Sequence, residues 1–111
     1  MPIISSSPFG GKTRTRVLLA LRLLSESHPR ELARVLDRRL SGVQQALQRL
    51  ELDGLVAART VGRTRVYRIN PRYFAERELL AYLLRLTDPE KELRSRVEAM
   101  RRRPRRTGKP L

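Results

Sequence analysis

The chain has 111 residues, of which 40% are hydrophobic, so it is long and apolar enough for one folded domain with a modest core. It contains no cysteine, which excludes disulfides and thiolate metal sites. With 25 Lys and Arg against 11 Asp and Glu it carries a formal net charge of +14, while its 5% aromatic content argues against a single-strand binder that stacks bases on aromatic side chains.

Residues 1–11 are rich in Ser, Pro and Gly and are predicted to form a flexible N-terminal arm. The alternative is an arm that packs Ile3, Ile4 or Phe9 across a dimer partner. The segment lacks a signal-peptide pattern, and no apolar run of the chain approaches the ~20 residues that a membrane span needs. A cytoplasmic protein without a membrane partner is therefore expected.

Strong helix formers from Thr13 to about Ser25 predict the first helix. Its apolar residues, between Val17 and Leu24, are more numerous than one buried stripe requires. This surplus indicates burial on two sides. The second side is covered either by a neighbouring helix of the same chain or by a second subunit.

Two short helices follow. The first, Arg30–Leu36, is too short to persist without packing into the core. After a break at 37–40, Ser41 is predicted to cap the second helix, which runs to about Leu52 and stops at Asp53-Gly54.

The second of these helices has two different faces. Val43, Leu47 and Leu50 recur at helical spacing and are predicted to point inward. The outer face carries Gly42, Gln44, Gln45, Gln48 and Arg49. Glutamine can pair with adenine in the major groove, and a glycine allows close approach to DNA. The alternative is that glutamine is present only because it favours helices.

A β-hairpin is predicted around a two-residue turn, Gly62-Arg63, of type II′. That turn sets Val61 opposite Thr64, and the same register sets Arg59 opposite Val66, Ala58 opposite Tyr67 and Val56 opposite Ile69. Alternation places Val56, Ala58, Tyr67 and Ile69 on the core side. Near the tip lie Arg59, Arg63 and Arg65, with no acidic residue between Leu55 and Phe74. Like charges repel unless a polyanion relieves them, so this tip is predicted to contact DNA.

The run L-x-x-L-E-x-x-G-L-V followed by G-R-x-x-x-Y-x-I is formed here by Leu47, Leu50, Glu51, Gly54, Leu55, Val56, Gly62, Arg63, Tyr67 and Ile69. Within residues 31–69, this pattern resembles the winged helix-turn-helix transcriptional regulators, most closely the ArsR-type group. The resemblance implies that the Ser41–Gln48 face contacts the major groove, that the hairpin contacts the DNA backbone, and that the protein is a homodimer. Metal-sensing members use Cys, His and acidic clusters. Because this chain has no Cys and one His, that part of the resemblance is not expected here.

Asn70 and Pro71 are predicted to cap and begin a helix that extends to Leu86. This helix is also too apolar for one buried stripe. Between Ala75 and Leu93 there are three basic and five acidic residues, a poor match to DNA. A homodimer through the Val17–Leu24 and Phe74–Leu86 helices is the resulting hypothesis. A last helix is predicted from Asp88-Pro89 to about Arg103.

The predicted fold is mainly α with a small β-hairpin, a winged helix-turn-helix with additional C-terminal dimerisation helices. Its parts are the DNA-binding domain 12–70, the helices 71–103, and a basic disordered tail 104–111 that adds non-specific DNA affinity. His28, the only histidine, supports neither a triad nor a metal site, and no enzyme and no cofactor are expected.

The function predicted from the sequence is that of a sequence-specific regulator of transcription, a repressor that binds double-stranded DNA as a homodimer and is associated with the nucleoid. The predicted DNA-binding residues are Arg39, Ser41, Gly42, Gln44, Gln45, Gln48, Arg49, Arg59, Arg63, Thr64 and Arg65. The alternatives are a non-specific architectural DNA-binding protein and a winged-helix module that binds another protein. A membrane surface is disfavoured as the polyanion, because the basic residues lie on loops and a tail and not opposite an apolar helix stripe.

Overall fold

The computed structural model describes residues 8–102, so residues 1–7 of the predicted arm, Arg103 and the predicted tail 104–111 lie outside the described residues. The described range contains five helices and three strands: α1 (Lys12–Leu24), β1 (Glu26–Ser27), α2 (Pro29–Leu36), α3 (Leu40–Leu52), β2 (Val56–Val61), β3 (Thr64–Ile69), α4 (Glu76–Leu86) and α5 (Lys91–Arg102). The hairpin β2–β3 is called the wing.

Helix α1 lies at the centre of the core. Residues 17–21 are at most 3% exposed, because α2, α3, α4, α5 and β3 all pack against this helix. The chain's own helices therefore cover the second apolar side of α1. This corrects the predicted dimer contact through Val17–Leu24, since of its apolar residues only Leu23 and Leu24 stay partly exposed.

Helix α2 is fixed at both ends by local contacts. The Nδ1 atom of His28 accepts a hydrogen bond from the Glu31 amide, and Pro29 occupies the first helical position. At the other end Asp37 is left-handed, with φ of 54°, and the amides of Asp37 and Arg38 donate to the carbonyls of Arg34 and Ala33. This pairing is a Schellman motif, which satisfies the last carbonyls of the helix.

Helix α3 begins one residue before the predicted start. Arg39 has extended backbone and is the N-cap, its carbonyl accepts the amide of Val43 at 3.1 Å, and no side chain caps this end. The prediction that Ser41 is the cap is therefore wrong, because the first helical hydrogen bond already forms at Arg39. The other end agrees with the prediction: Gly54 has φ of 80°, and the amide of Leu55 donates to the carbonyl of Leu50.

The sheet has three antiparallel strands in the order β1-β3-β2. The predicted wing register is confirmed from Val61 opposite Thr64 to Val56 opposite Ile69. Gly62 has φ of 65° and is the one turn residue with positive φ, as a type II′ turn requires. Strand β1, in which Ser27 pairs with Tyr67, was not predicted from the sequence.

Helix α4 begins at Glu76, five residues after the predicted start. Asn70 does not cap a helix. Its Oδ1 atom accepts the amide of Arg72, its Nδ2 atom donates to the carbonyl of Gly54 at 2.9 Å, and its amide donates to the carbonyl of Leu55. These contacts hold 70–75 in turns and tie the end of β3 to the loop after α3.

Arginine side chains join α5 to the rest of the fold. Arg94 donates to both the carbonyl and the hydroxyl of the fully buried Thr87, and Arg96 donates to the carbonyl of Val35 at the end of α2. Buried residues from α1 to α5 form one core. None of the helices in 8–102 is long and apolar enough to cross a bilayer. The predicted fold, a winged helix-turn-helix with further C-terminal helices, is confirmed.

Candidate nucleic-acid interface

Helix α3 presents a polar face that the core does not use. Val43, Ala46, Leu47 and Leu50 are at most 4% exposed and fix the helix on the domain. The opposite side bears Ser41, Gln44, Gln45, Gln48 and Arg49, all exposed. The burial pattern agrees with the division of faces that the helical spacing predicts.

The helical spacing orders this face further. Ser41, Gln45 and Gln48 follow one another at i, i+4 and i+7, so they form the row opposite the buried residues. Gln44 precedes Glu51 by seven residues and therefore lies on the side of α3 that faces the wing. Gln45 and Gln48 are consequently the two amides best placed at the middle of the face.

Gly42 is half-buried in the first turn of α3. A Cβ atom added there would meet no atom of the chain within 4 Å, so the fold itself does not require glycine at this position. The position is therefore open to contact from outside the chain.

Arg39 and Arg49 lie at opposite ends of α3 and differ in their contacts. Arg49 is paired with Asp53 at 3.6 Å, four residues along the helix. Arg39 is exposed beside the first turn and has no carboxylate within 4.0 Å in the described part of the chain. Arg39 is therefore free to meet an anion at the N-terminus of α3.

The wing arginines do not form a free cationic tip. Arg59 pairs with Glu26 of β1 at 2.8 Å, and Arg65 pairs with Glu51 of α3 at 2.7 Å. Because side chains alternate along a strand and Arg59 lies opposite Val66, Arg59 and Arg65 project from opposite faces of the wing. For these two residues the prediction is therefore corrected: their charges are already compensated within the chain and do not require a polyanion. The carboxylates come from neighbouring elements and not from the hairpin.

Arg65 also interacts with Tyr67. Its Nε atom donates to the Tyr67 hydroxyl at 3.1 Å, and its guanidinium carbon lies 5.7 Å from the ring centroid. The hydrogen bond with Tyr67 and the negative charge of Glu51 raise the pKa of Arg65 above its usual value. The guanidinium is therefore always charged and holds the wing against α3.

Arg63 and Thr64 occupy the tip of the wing. Both are exposed, and Arg63 has no carboxylate within 4.0 Å among residues 8–102. Of the three wing arginines named from the sequence, Arg63 alone is free to meet a phosphate without breaking an ion pair.

The pairing of the wing arginines with Glu26 and Glu51 was not expected from the sequence. Glu26 reaches Arg59 because β1 pairs with β3, and Glu51 reaches Arg65 because α3 packs against β2. Within residues 8–102, no group of three or more His, Cys, Asp or Glu side chains is placed to hold a metal ion.

Comparison with protein-family models and with curated proteins gave no match. Among solved structures, the chain is similar to the crystal structure of AntR, an antimony-specific transcriptional repressor. The TM-score is 0.59 at 24% sequence identity, and the match covers 80% of this chain and 77% of that one. At this identity the likeness is one of fold, and it agrees with the winged helix described above.

Proposed function

We propose that this protein binds double-stranded DNA in a sequence-dependent manner and represses transcription. The observation that carries the proposal is the exposed row Ser41, Gln45 and Gln48 on a helix whose opposite face is fully buried. Amide side chains on a rigid helix suit hydrogen bonding to adenine in the major groove. A helix face that contacts only water would not require uncharged amide side chains.

The fold supports the same function. A helix-turn-helix presents its second helix to the major groove, and α3 holds that place in the chain. The wing, held against α3 by Arg65, would bring Arg63 and Thr64 to the adjacent backbone. AntR, which is similar in fold, is a transcriptional repressor. Repression by this chain would follow if it covers a promoter.

The active form in this proposal is a homodimer, which places two copies of α3 about one helical turn of DNA apart. Its interface would include the exposed side of α4 and the turn before it, where Phe74 is 91%, Tyr82 44% and Leu84 41% exposed. The acidic balance of 75–93 keeps this surface away from DNA.

The test is selection of bound fragments from random duplex DNA with the full chain at about 0.15 M salt. A recurring motif is expected, and Gln45→Ala and Gln48→Ala should each relax it at a few neighbouring positions. Ser95→Ala, which removes an exposed polar group from α5, serves as the control and should leave the motif unchanged. An unchanged motif in both glutamine variants would exclude α3 as the helix that recognises the sequence.

The net charge of +14 favours a second candidate, a non-specific architectural DNA-binding protein. The same selection separates the two functions. An architectural protein would return fragments without a motif, at similar affinity for all of them. A module that binds another protein would return no bound fragments at all.

A further inference from the structure

Many arginines of this basic protein are already held by the fold. Eight of those in 8–102 pair with carboxylates: Arg16, Arg49, Arg59, Arg65, Arg85, Arg94, Arg96 and Arg102. Two more, Arg22 and Arg101, donate to the main-chain carbonyls of Leu80 and Leu23. The net charge therefore overstates how many cations are free to bind a partner.

Arg63, Arg68, Arg72 and Arg77 are exposed and have no such contact among the described residues, but they are spread over the wing, the turn after it and α4. Four further arginines lie together on α2 and the turn after it. Arg30, Arg34, Arg38 and Arg39 are all exposed, and none has a carboxylate within 4.0 Å in the part of the chain that the structure describes. We call these four residues the arginine strip. Glu31 and Asp37 lie in the same stretch, so four guanidinium groups and two carboxylates leave a local charge of +2.

The strip follows from how α2 packs. Leu32, Val35 and Leu36 are buried, so Arg30 and Arg34, four residues apart, project together from the outward side of the helix. They are separated by about 6 Å along the helix axis. Arg38 and Arg39 continue the strip directly to the first turn of α3.

The strip is carried on a rigid support. The N-terminus of α2 is capped by His28, and its C-terminus is closed by the Schellman motif and by Arg96, which donates to the carbonyl of Val35 at 3.0 Å. The main chain that carries the guanidinium groups therefore needs little ordering when they meet a partner, which lowers the entropic cost of binding.

We propose that the arginine strip binds the phosphodiester backbone of duplex DNA beside the groove that α3 enters. This inference rests on the proposed function, and it assigns the larger part of the backbone contact to α2, beside the smaller contact of Arg63 at the wing tip. Arginine matches phosphate with two parallel N–H donors, and exposed arginines without carboxylate partners give up no ion pair on binding. Arg59 and Arg65 act as positioning residues that orient the wing.

The experiment measures affinity for a duplex of about 25 base pairs by fluorescence anisotropy at several salt concentrations. Each phosphate contact adds about 0.9 to the slope of log affinity against log salt concentration. The double variant Arg30→Gln/Arg34→Gln should therefore lower the slope by about 2 and weaken binding to all sequences alike. Arg30→Lys/Arg34→Lys should keep the slope, since the charge is retained.

The matched control is Arg77→Gln/Lys91→Gln, which removes two exposed cations without carboxylate partners from α4 and α5. It should leave the slope unchanged. The double variant Arg59→Gln/Arg65→Gln should lower the slope by no more than about 0.9, because these side chains already have carboxylate partners and at most the wing-tip contact of Arg63 is lost with them.

An equal loss of slope in the strip variant and the control, or a larger loss in the Arg59/Arg65 variant, would overturn the assignment of the backbone contact to α2. Those results would leave the proposed function intact if the glutamine variants still alter the selected motif. Absence of duplex binding by the unmodified chain would overturn the proposed function and this inference together. Circular dichroism of each variant confirms that it is folded.

Discussion

The guanidinium of Arg65 lies 2.7 Å from the carboxylate of Glu51, and this ion pair joins the second strand of the wing to α3. Its Nε atom also donates to the hydroxyl of Tyr67, whose ring is buried in the core. One side chain with two partners therefore helps to position the wing relative to α3. Loss of this side chain should free the wing without unfolding the domain.

We predict that Arg65→Gln speeds hydrogen exchange of the wing amides and hardly changes the melting temperature, since both partners of the pair are partly solvated. Glu51→Gln should do the same, and the double variant should add little to either single change. The measurement is amide exchange followed by mass spectrometry. Arg63→Gln, at the wing tip and without a carboxylate partner in the described residues, is the control. If Arg63→Gln speeds the exchange of the wing amides equally, Arg65 does not position the wing.

The second prediction concerns Asp37, which holds a left-handed conformation at the end of α2 and places a carboxylate near the C-terminal end of the helix dipole. Both features are unfavourable for a non-glycine acidic residue. Asp37→Gly should therefore stabilise the protein by up to about 1 kcal/mol, after the greater freedom of glycine in the unfolded chain is subtracted. Asp37→Asn removes the charge alone and should give a smaller gain. Urea unfolding measures both, and a loss of stability in Asp37→Gly would contradict the argument.

The third prediction concerns Asn70, which makes two side-chain hydrogen bonds, one to the carbonyl of Gly54 and one from the amide of Arg72. Asn70→Ala removes both and should cost about 1–3 kcal/mol in thermal or urea unfolding. Asn70→Asp keeps the acceptor for the amide of Arg72 and loses the donor to the carbonyl of Gly54. Its stability should therefore lie between that of the unmodified protein and that of Asn70→Ala. If Asn70→Asp is as stable as the unmodified protein, the bond to Gly54 contributes nothing.

The contrast between Gly62 and Asn70 explains how far the sequence could predict this fold. Gly62 is predictable because a two-residue hairpin turn needs positive φ, and glycine adopts it at no steric cost. Asn70-Pro71 fits both a helix start and a turn. The choice between them depends on the hydrogen bond to Gly54, which is sixteen residues away and has no local signal.

The same limit applies to the candidate site. The buried row of Val43, Leu47 and Leu50 has a helical period, so the exposed face of α3 could be predicted from the sequence. The two-residue strand β1 is too short to show a period, and without it Glu26 could not be placed beside Arg59. Ion pairs between distant segments therefore had to come from the structure.

The fourth prediction uses two neighbouring residues of α4. Leu83 is fully buried, whereas Leu84 is 41% exposed. Leu83→Ala should destabilise the domain by about 2–5 kcal/mol, because it leaves a cavity in the core. Leu84→Ala should cost less than about 0.5 kcal/mol when unfolding is measured at low protein concentration, where assembly contributes little. Similar losses for the two variants would mean that Leu84 is buried in the protein in solution.

The fifth prediction tests assembly through α4. Because Phe74, Tyr82 and Leu84 are exposed on this side of the domain, a charge placed among them should oppose burial against a second copy. Sedimentation equilibrium should give a dimer for the unmodified chain and a monomer for Leu84→Glu. Ala99→Glu adds the same charge to an exposed position of α5 and should remain dimeric. A monomer for the unmodified chain at about 100 times the concentration that saturates DNA would exclude the homodimer. DNA binding by the protein would then use one copy of α3 per site.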